Sequence, residues 1–593
     1  MVNPLDDSQL LRLASDPRTR LFPPLRGATV FGPLVVLTGL APFLVAMLGT
    51  ELGDNSAGWG LRAIDVMSAV SIQECLEPGH NGLGRGYVHQ PPLSSWLLAV
   101  TAPCLGTDQL LSWRILSATA QCLAIWAMYL LGRRLGGASF GLITALALCG
   151  HPVMLRIATV TNPAAVGSLL LIIAVWGYLG HLEGPPQLVS LRMLAGSVAW
   201  GLSLLAVGPV ALALFVPMLI HAWLLNAGLH DREHPARSRM RQLWLGLRTL
   251  AVFVMTALSF SGWWQLMMLT SYGSEFLNSW WSGQVAMSFP ADTPKSYWRE
   301  CLSQNSFLVG WLIVGLVRGI GELRRPSSEL ERRRSQFVLV WWSTAVVIRI
   351  VFDIPALRRC VLMDAWDVFL LLPTVLLAAM GIKAFVLRQT SQLTEGLLLA
   401  APLGLYVWRL TLQPWLGLTA FVLGLGFLAL LPALSTRIRG GARQWTERDW
   451  KRLLRIAFLL VAGGHIAAGL SEFPRFSLES QSLVELRKRI APVPPTPRVT
   501  LMTSNGAAPE SLLFVLRSRW PASTFVLAGL RDGRLAREPS EAAPPVELVI
   551  EWTKHDIRIA NELPANRQAT AIGDPLRFRE RRLMIYRVGP RQR

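Results

Sequence analysis

Apolar runs of about twenty residues, separated by short polar loops, recur along most of the chain, and near residue 472 the pattern changes. A bilayer core needs about 20 apolar residues of helix to cross it. On that measure the sequence predicts spans at 28–49, 113–132, 138–157, 164–183, 190–206, 209–226, 247–270, 304–320, 337–353, 366–387, 396–411, 415–434 and 453–471, thirteen in all. A further apolar run, Pro91 to Gly106, is too short to span and would spoil the alternation of sides if counted. It reads as a helix lying in the outer interface, with Trp96 at headgroup depth. After a proline-rich linker, Pro492 to Pro497, the period shortens. "RVTLMTS", "STFVLAG", "VELVIEW" and "RRLMIYRV" alternate as β-strands do, and Ser511 to Arg519 reads as a helix. The fold class predicted is thus a polytopic α-helical membrane protein with a small C-terminal α/β domain. Its divisions fall at 1–27, 28–471 and 472–593.

Composition agrees with that class. Of 593 residues, 52% are hydrophobic and 16% charged, with a mean hydropathy of +0.40, which is too apolar for an ordinary soluble protein. The net charge of +20 raises the possibility of nucleic acid, but topology accounts for it better. Starting with Arg18, Arg20 and Arg26 inside, the loops at Arg133-Arg134, Arg232 to Arg241, Arg324 to Arg334 and Arg437 to Arg452 all fall on the cytoplasmic side, as the positive-inside rule requires. Contact with anionic lipid headgroups is a second use for the excess, and nucleic acid is not expected as a partner. Residues 50–112, 157–163, 271–303, 354–365 and the tail from 472 then lie outside the inner membrane. Six cysteines without paired spacing suggest neither a disulfide framework nor a zinc site. The N-terminal stretch is polar and has no signal-peptide pattern.

The chemistry-bearing residues concentrate between Gly58 and Val100. Asp65 lies in a run that predicts one helix from Leu61 to Glu77, closed by Pro78-Gly79. A carboxylate there can act as a general base that removes a proton from an acceptor hydroxyl during attack on a sugar's anomeric carbon; the alternative is a solvated loop acid. Glu74 and Glu77 flank the helix end and face water on this reading. Gly79 to Pro92 is glycine-rich and then rigid at Pro91-Pro92, with Arg85, Tyr87, His89 and Gln90 as polar side chains and Arg62 just upstream. Arg85 is suited to a phosphate. The pattern is no P-loop, and neither a metal nor another cofactor is indicated: the outer loops hold no Asp-x-Asp, and His80 with His89 forms no ligand spacing.

"IDVMSAVSIQECLEPG" followed by "HQPPLSSWLLA" resembles the first outer loop of the GT-C glycosyltransferases, the superfamily of protein O-mannosyltransferases and lipid A aminoarabinose transferases. "LSWRILSA" with "YLLGRRLGG", "LRIATVTNPAAVGSLLL" and "WGLSLLAVGPVALAL" are similar to family segments in the same order, so the resemblance covers about the first 270 residues. It implies a donor sugar on polyprenyl phosphate, bound from the outer leaflet and transferred with inversion. The acceptor would be a lipid, a glycan or a protein. The departures are specific. The family's Asp-Glu pair falls on Ile64-Asp65, its motif lysine on Gln90, its acid after the third span on Asn162, and its lysine before the Gly-Pro turn on Val207. Neutralising a departing phosphate must then fall to cations elsewhere on the outer side, for which Arg156, Lys295, Arg299, Arg358 and Arg359 are the candidates. Trp280, Trp281, Tyr297 and Trp298 either stack on sugar rings or form an interfacial belt. Two function classes follow: a glycosyltransferase with Asp65 as base, and a non-catalytic GT-C-like lipid-binding or envelope-assembly protein that kept the groove and lost the charges. A transporter would need ionisable groups at mid-membrane depth, and Arg349 is the only charge well inside an expected span.

Overall fold

The computed structural model describes residues 54–76, 91–106, 110–159, 161–182, 189–227, 235–285, 306–324, 328–353, 363–386, 478–490, 498–503, 510–519, 524–531, 534–535, 547–553, 567–572, 575–578 and 581–590. The expected spans at 28–49, 396–411, 415–434 and 453–471 lie outside them.

Three short helices come first: α1 (Asp54–Met67), α2 (Ile72–Leu76) and α3 (Leu93–Leu105). The bundle follows as α4 (Leu110–Gly136), α5 (Ala138–Cys149), α6 (Pro152–Thr159), α7 (Pro163–Leu182), α8 (Leu191–Val207), α9 (Pro209–Leu212), α10 (Phe215–Ala227), α11 (Pro235–Val285), α12 (Ser306–Arg324), α13 (Glu329–Asp353) and α14 (Met363–Val386). Each expected span between 113 and 387 is met by one of these helices or by a broken pair. Segments of α4, α7, α11 and α14 are each long and apolar enough to cross a membrane, and α5 with α6 passes the same test as one span bent by 65°. The 13 residues of α3 rise only about 20 Å, short of the roughly 30 Å hydrocarbon core. It has the length of the surface helix expected there.

Inside the bundle, bulky and minimal residues alternate. Trp200 stacks on Phe253 at 5.6 Å, and Tyr178 meets Phe253 edge-on at 6.0 Å. Elsewhere the backbones touch: a β-carbon added at Gly315 of α12 would collide with the carbonyl oxygen of Leu377, and one at Gly381 of α14 with that of Trp311. In lipid, where water does not drive helices together, such small-residue contacts bring helices close enough for dispersion and polar contacts to hold them. The segment from 271, expected as loop, is instead helical as far as Val285, with its break at Gly273 (φ 56°, ψ −129°). That backbone region is essentially open to glycine alone, so within 271–285 the departure from helix falls at Gly273.

The C-terminal region adds α15 (Leu478–Ile490) and α16 (Glu510–Arg519) to strands β1 (Arg498–Thr503), β2 (Thr524–Arg531), β3 (Arg534–Leu535), β4 (Glu547–Thr553), β5 (Arg567–Ala571), β6 (Leu576–Phe578) and β7 (Arg581–Pro590). The sheet order is β3-β2-β1-β4-β7-β5, with β6 also on β7. β2, β1 and β4 run parallel, and β7 is antiparallel to β4. The parallel β1–β2 pair is joined through α16, the crossover helix that such a pair requires. The four expected strands are β1, β2, β4 and β7, adjacent in the middle of the sheet.

Among the described residues, the core of the sheet region is shared with the helices at the start of the chain's described part. Leu512, Phe514 and Leu516 of α16, Leu486 of α15, Ile550 and Ile585 of the sheet, Leu61 and Ile64 of α1, Leu98 and Ala102 of α3 and Trp113 of α4 form one buried cluster. Phe514 packs edge-on against Trp113 at 5.0 Å, and its ring fills the space over Gly60 where any side chain would collide with it.

Two expectations follow. Gly315→Ala should lower the midpoint of thermal unfolding in detergent, whereas Gly321→Ala on the same helix, where nothing lies within 4 Å of the added carbon, should leave it unchanged or raise it, since alanine favours helix over glycine by about 1 kcal/mol. Equal effects at both sites would refute the close α12–α14 contact. Gly60→Leu should displace Phe514 and expose 510–519 to proteolysis, a change that Gly60→Leu/Phe514→Ala should partly reverse.

Candidate functional site

α1 forms where Trp59, Leu61, Ala63 and Ile64 can all be buried, and it carries Arg62 and Asp65 three residues apart, on neighbouring positions of one helix face. The single helix expected from Leu61 to Glu77 is corrected here. α1 starts earlier and stops at Met67, and α2 begins anew at Ile72. The break has local causes. The Ser68 hydroxyl bonds back to the Asp65 carbonyl at 3.1 Å, and Ser71 caps α2 by accepting from the Glu74 N–H at 3.2 Å. The Glu74 carboxylate in turn accepts from the Val70 N–H at 2.8 Å. This is close to a capping box, so Glu74 is used in building the turn.

The other end of α2 is fixed from outside. Its last carbonyls have no intrahelical donor. The indole N–H of Trp96 on α3 donates to the Cys75 carbonyl at 2.8 Å, and that of Trp264 on α11 to the Leu76 carbonyl at 3.3 Å. Trp96 also stacks on Trp263 at 6.3 Å. The end of α2 is thereby tied to both α3 and the bundle.

At the centre, Asp65 is 4% exposed and makes a buried ion pair: Arg517 Nη1 of α16 lies 2.6 Å from Asp65 Oδ1. The solvated-acid alternative is excluded by that burial. Arg62, 1% exposed, donates to the Pro91 carbonyl at 3.4 Å and lies over the Trp59 ring at 5.9 Å. Burial pushes the Asp65 carboxyl above its usual range, opposed first by the Arg517 guanidinium and its hydrogen bond and then by the Arg62 charge. An acid so placed is a stronger base once ionised. Among the described residues, the arrangement is one carboxylate and two guanidinium groups beside an apolar cluster.

The remaining candidates divide. Asn162 is the cap of α7: its side-chain oxygen accepts from the Ala164 N–H at 2.8 Å, while its own N–H donates to Ser117 at 3.2 Å. Arg156 on α6 pairs loosely with Asp367 of α14 at 3.9 Å, with 40% of its side chain exposed. Ile64 and Val207 are 0% and 3% exposed, and Val207 sits over Gly167 of α7. Arg85, Tyr87, His89, Gln90, Lys295, Arg299, Arg358 and Arg359 lie outside the described residues, as do Tyr297 and Trp298. The residue the sequence reading missed is Arg517. Its helix was legible, but nothing in "LRSR" points to an acid 452 positions earlier.

A family model described as dolichyl-phosphate-mannose-protein mannosyltransferase matches residues 89–260. Among solved structures, ArnT from Cupriavidus metallidurans in the apo state is similar, with a TM-score of 0.60 at 17% identity, covering 95% of this chain and 98% of that one. The same protein bound to undecaprenyl phosphate gives 0.56 at 16% identity, with 94% and 97% covered. No curated protein matches by sequence. At these identities it is the fold that is shared, along nearly the whole of both chains, and the apolar helices of that fold are those of a polytopic helical membrane protein.

Proposed function

We propose that the protein is a glycosyltransferase that takes a sugar from a polyprenyl-phosphate donor and passes it to a lipid, glycan or protein acceptor at the outer face of the inner membrane. The observation that carries this is the near end-to-end correspondence with a structure that binds undecaprenyl phosphate, and the mannosyltransferase model over 89–260 supports it. In the full reading, about thirteen helices span the membrane between residues 28 and 471. Residues 1–27 are cytoplasmic, and the sheet domain from 472 lies outside, beside the loop that bears Asp65. The contact of α16 with α1 supports that side assignment, because both must then face the same compartment.

Asp65 is the general base. The acceptor hydroxyl oxygen attacks the anomeric carbon, its proton passes to the carboxylate, and the bond from that carbon to the phosphate oxygen breaks with its electron pair leaving on the polyprenyl phosphate. Attack opposite the leaving group inverts the anomeric centre. Cations stabilise the phosphate as it departs, a role for Arg62 within the cluster and for Arg156, Arg85, Lys295, Arg299, Arg358 and Arg359 as further candidates. Tyr87, His89, Gln90 and Asn162 are the proposed polar contacts to the sugar. A second reading, a non-catalytic lipid-binding or assembly protein of the same fold, draws on Ile64 and Val207, which sit at family charge positions and are packed into apolar cores.

Comparison of envelope glycolipids and glycoproteins from wild type, a deletion strain and an Asp65→Asn strain separates the two. Loss of one glycan in the deletion and a fall of about 10² to 10⁴-fold in the variant, with the variant still inserted, is the expected result. A deletion with unchanged glycans would favour the second reading, and a variant equal to wild type would remove Asp65 from the mechanism. Because the base must be ionised and its carboxyl is raised by burial, transfer should fall as external pH is lowered, with the acid limb above the usual carboxylate range. A limb at the ordinary carboxylate value would assign the titration to another group.

A further inference from the structure

We propose that Arg517 is a positioning residue for Asp65: the sheet domain supplies the cation that orients and charges the base, so the site is complete only while α16 is docked on α1. The inference rests on the glycosyltransferase reading above. Its basis is geometric. Phe514 and Arg517 are three residues apart and share a face of α16. Phe514 enters the gap over Gly60, and Arg517 reaches Asp65 at 2.6 Å with both side chains nearly closed to solvent. The apolar contact sets the depth of the helix, and the ion pair sets its rotation and register.

The same contact fixes the carboxylate. One oxygen held by a guanidinium nitrogen at 2.6 Å restricts the rotamers open to Asp65, and a base displaced by 1 Å can lose about 10²-fold in rate. A lysine would keep the charge and lose the planar fork. Among the described residues, the charged groups acting on Asp65 are Arg517 from α16 and Arg62 from α1 itself. Of the other elements in the cluster around α1, α4 carries the buried Arg114, α3 carries no ionisable side chain but the Cys104 thiol, and α2 carries Glu74, occupied at the Val70 N–H, and Cys75. Removing Arg517 therefore takes away the nearest cation and must make the carboxyl harder to ionise. A residue that only glued two domains together would change the amount of folded protein and leave the titration where it was.

The experiment uses the full chain carrying Arg517→Gln, Arg517→Lys or Asp65→Asn in a deletion strain. Transfer of the glycan that the deletion lacks is followed in spheroplasts against external pH, and docking is followed by hydrogen exchange over residues 54–67 and 510–519 of the purified protein. Arg517→Gln should cut the maximal rate by about tenfold or more and move the acid limb to higher pH while 510–519 stays protected. Arg517→Lys should return the limb towards its wild-type position with a rate still below wild type. A Gln variant with an unmoved limb, or with a rate that falls only as protection falls, overturns the proposal. If Gln releases α16, the Lys variant decides: a lower rate with α16 protected and the limb in place supports positioning, and a loss matched to lost protection refutes it. A deletion strain with unchanged glycans sinks the enzyme reading and this role with it. Asp65→Asn inactive beside a fully active Arg517→Gln sinks the role of Arg517 alone.

Discussion

Two opposite charges drawn out of water need each other more than they need the protein. Desolvating a carboxylate or a guanidinium costs several kcal/mol per ion, and only a close, well-shielded partner offsets it. The pair of Asp65 and Arg517 meets that condition at 2.6 Å, and the condition has structural consequences well beyond the two side chains. The pair can exist only if α16 approaches α1 closely, which is why position 60 has no side chain and the ring of Phe514 occupies its place. It stays dry only if apolar groups surround it, which is why Leu61, Ile64, Leu98, Trp113, Leu512 and Leu516 form one cluster across α1, α3, α4 and α16. An ion pair of this kind contributes little net stability. What it adds is register: it rewards one rotation of α16 against α1 and penalises the others.

With α1 held on one side by the sheet region, α2 and α3 are held on the other by the bundle. The indoles of Trp96 and Trp264 take up the end carbonyls of α2, and Pro91, at the start of the surface-helix segment, gives its carbonyl to Arg62. These contacts close a path from the bundle through α2 and α3 to Asp65. The bundle can serve as the anchor because its own helices meet at glycine, as at Gly315 with Gly381 and at Gly177 with Gly196, and so have little room to slide. A carboxylate placed this way is preorganised, the condition under which a base or an electrostatic group acts without reorganising its surroundings.

Most of the scaffold was legible in the sequence, because the signals that define it are local. Hydropathy over twenty residues finds helices that lie in lipid whatever their neighbours, and it found every described bundle helix. The length of the run after Pro92 sufficed to mark α3 as too short to span. Alternation found β1, β2, β4 and β7, whereas β3, β5 and β6 are 2, 5 and 3 residues long, too short for a period to register. The division of α1 from α2 was missed because it depends on hydroxyls and a carboxylate bonding to backbone at Ser68, Ser71 and Glu74, which a helix-period reading counts merely as polar positions. The site was only half legible. Asp65 stood out as a lone acid in the outer loop, but its cation was sought in the membrane domain's own outer loops. Partnership across 452 residues leaves no trace in spacing.

That distant partner gives the family departures a physical sense. Moving one residue along a helix turns the side chain by about 100°, so positions 64 and 65 face different surroundings. Position 64 points into the cluster containing Leu512 and Phe514 and is 0% exposed; a carboxylate there would have to be buried among apolar side chains, an environment that isoleucine fits. Position 65 faces the arginine. Likewise Val207 packs against the surface left open by Gly167, where a lysine would have to bury its charge, and Asn162 provides the cap that α7 needs. The neutral residues are therefore fitted to their surroundings and are not simply vacated charge sites. Together they describe a loop in which the acid and its counter-charge have been drawn towards the sheet domain, so that whatever chemistry Asp65 performs depends on a helix encoded near the far end of the chain.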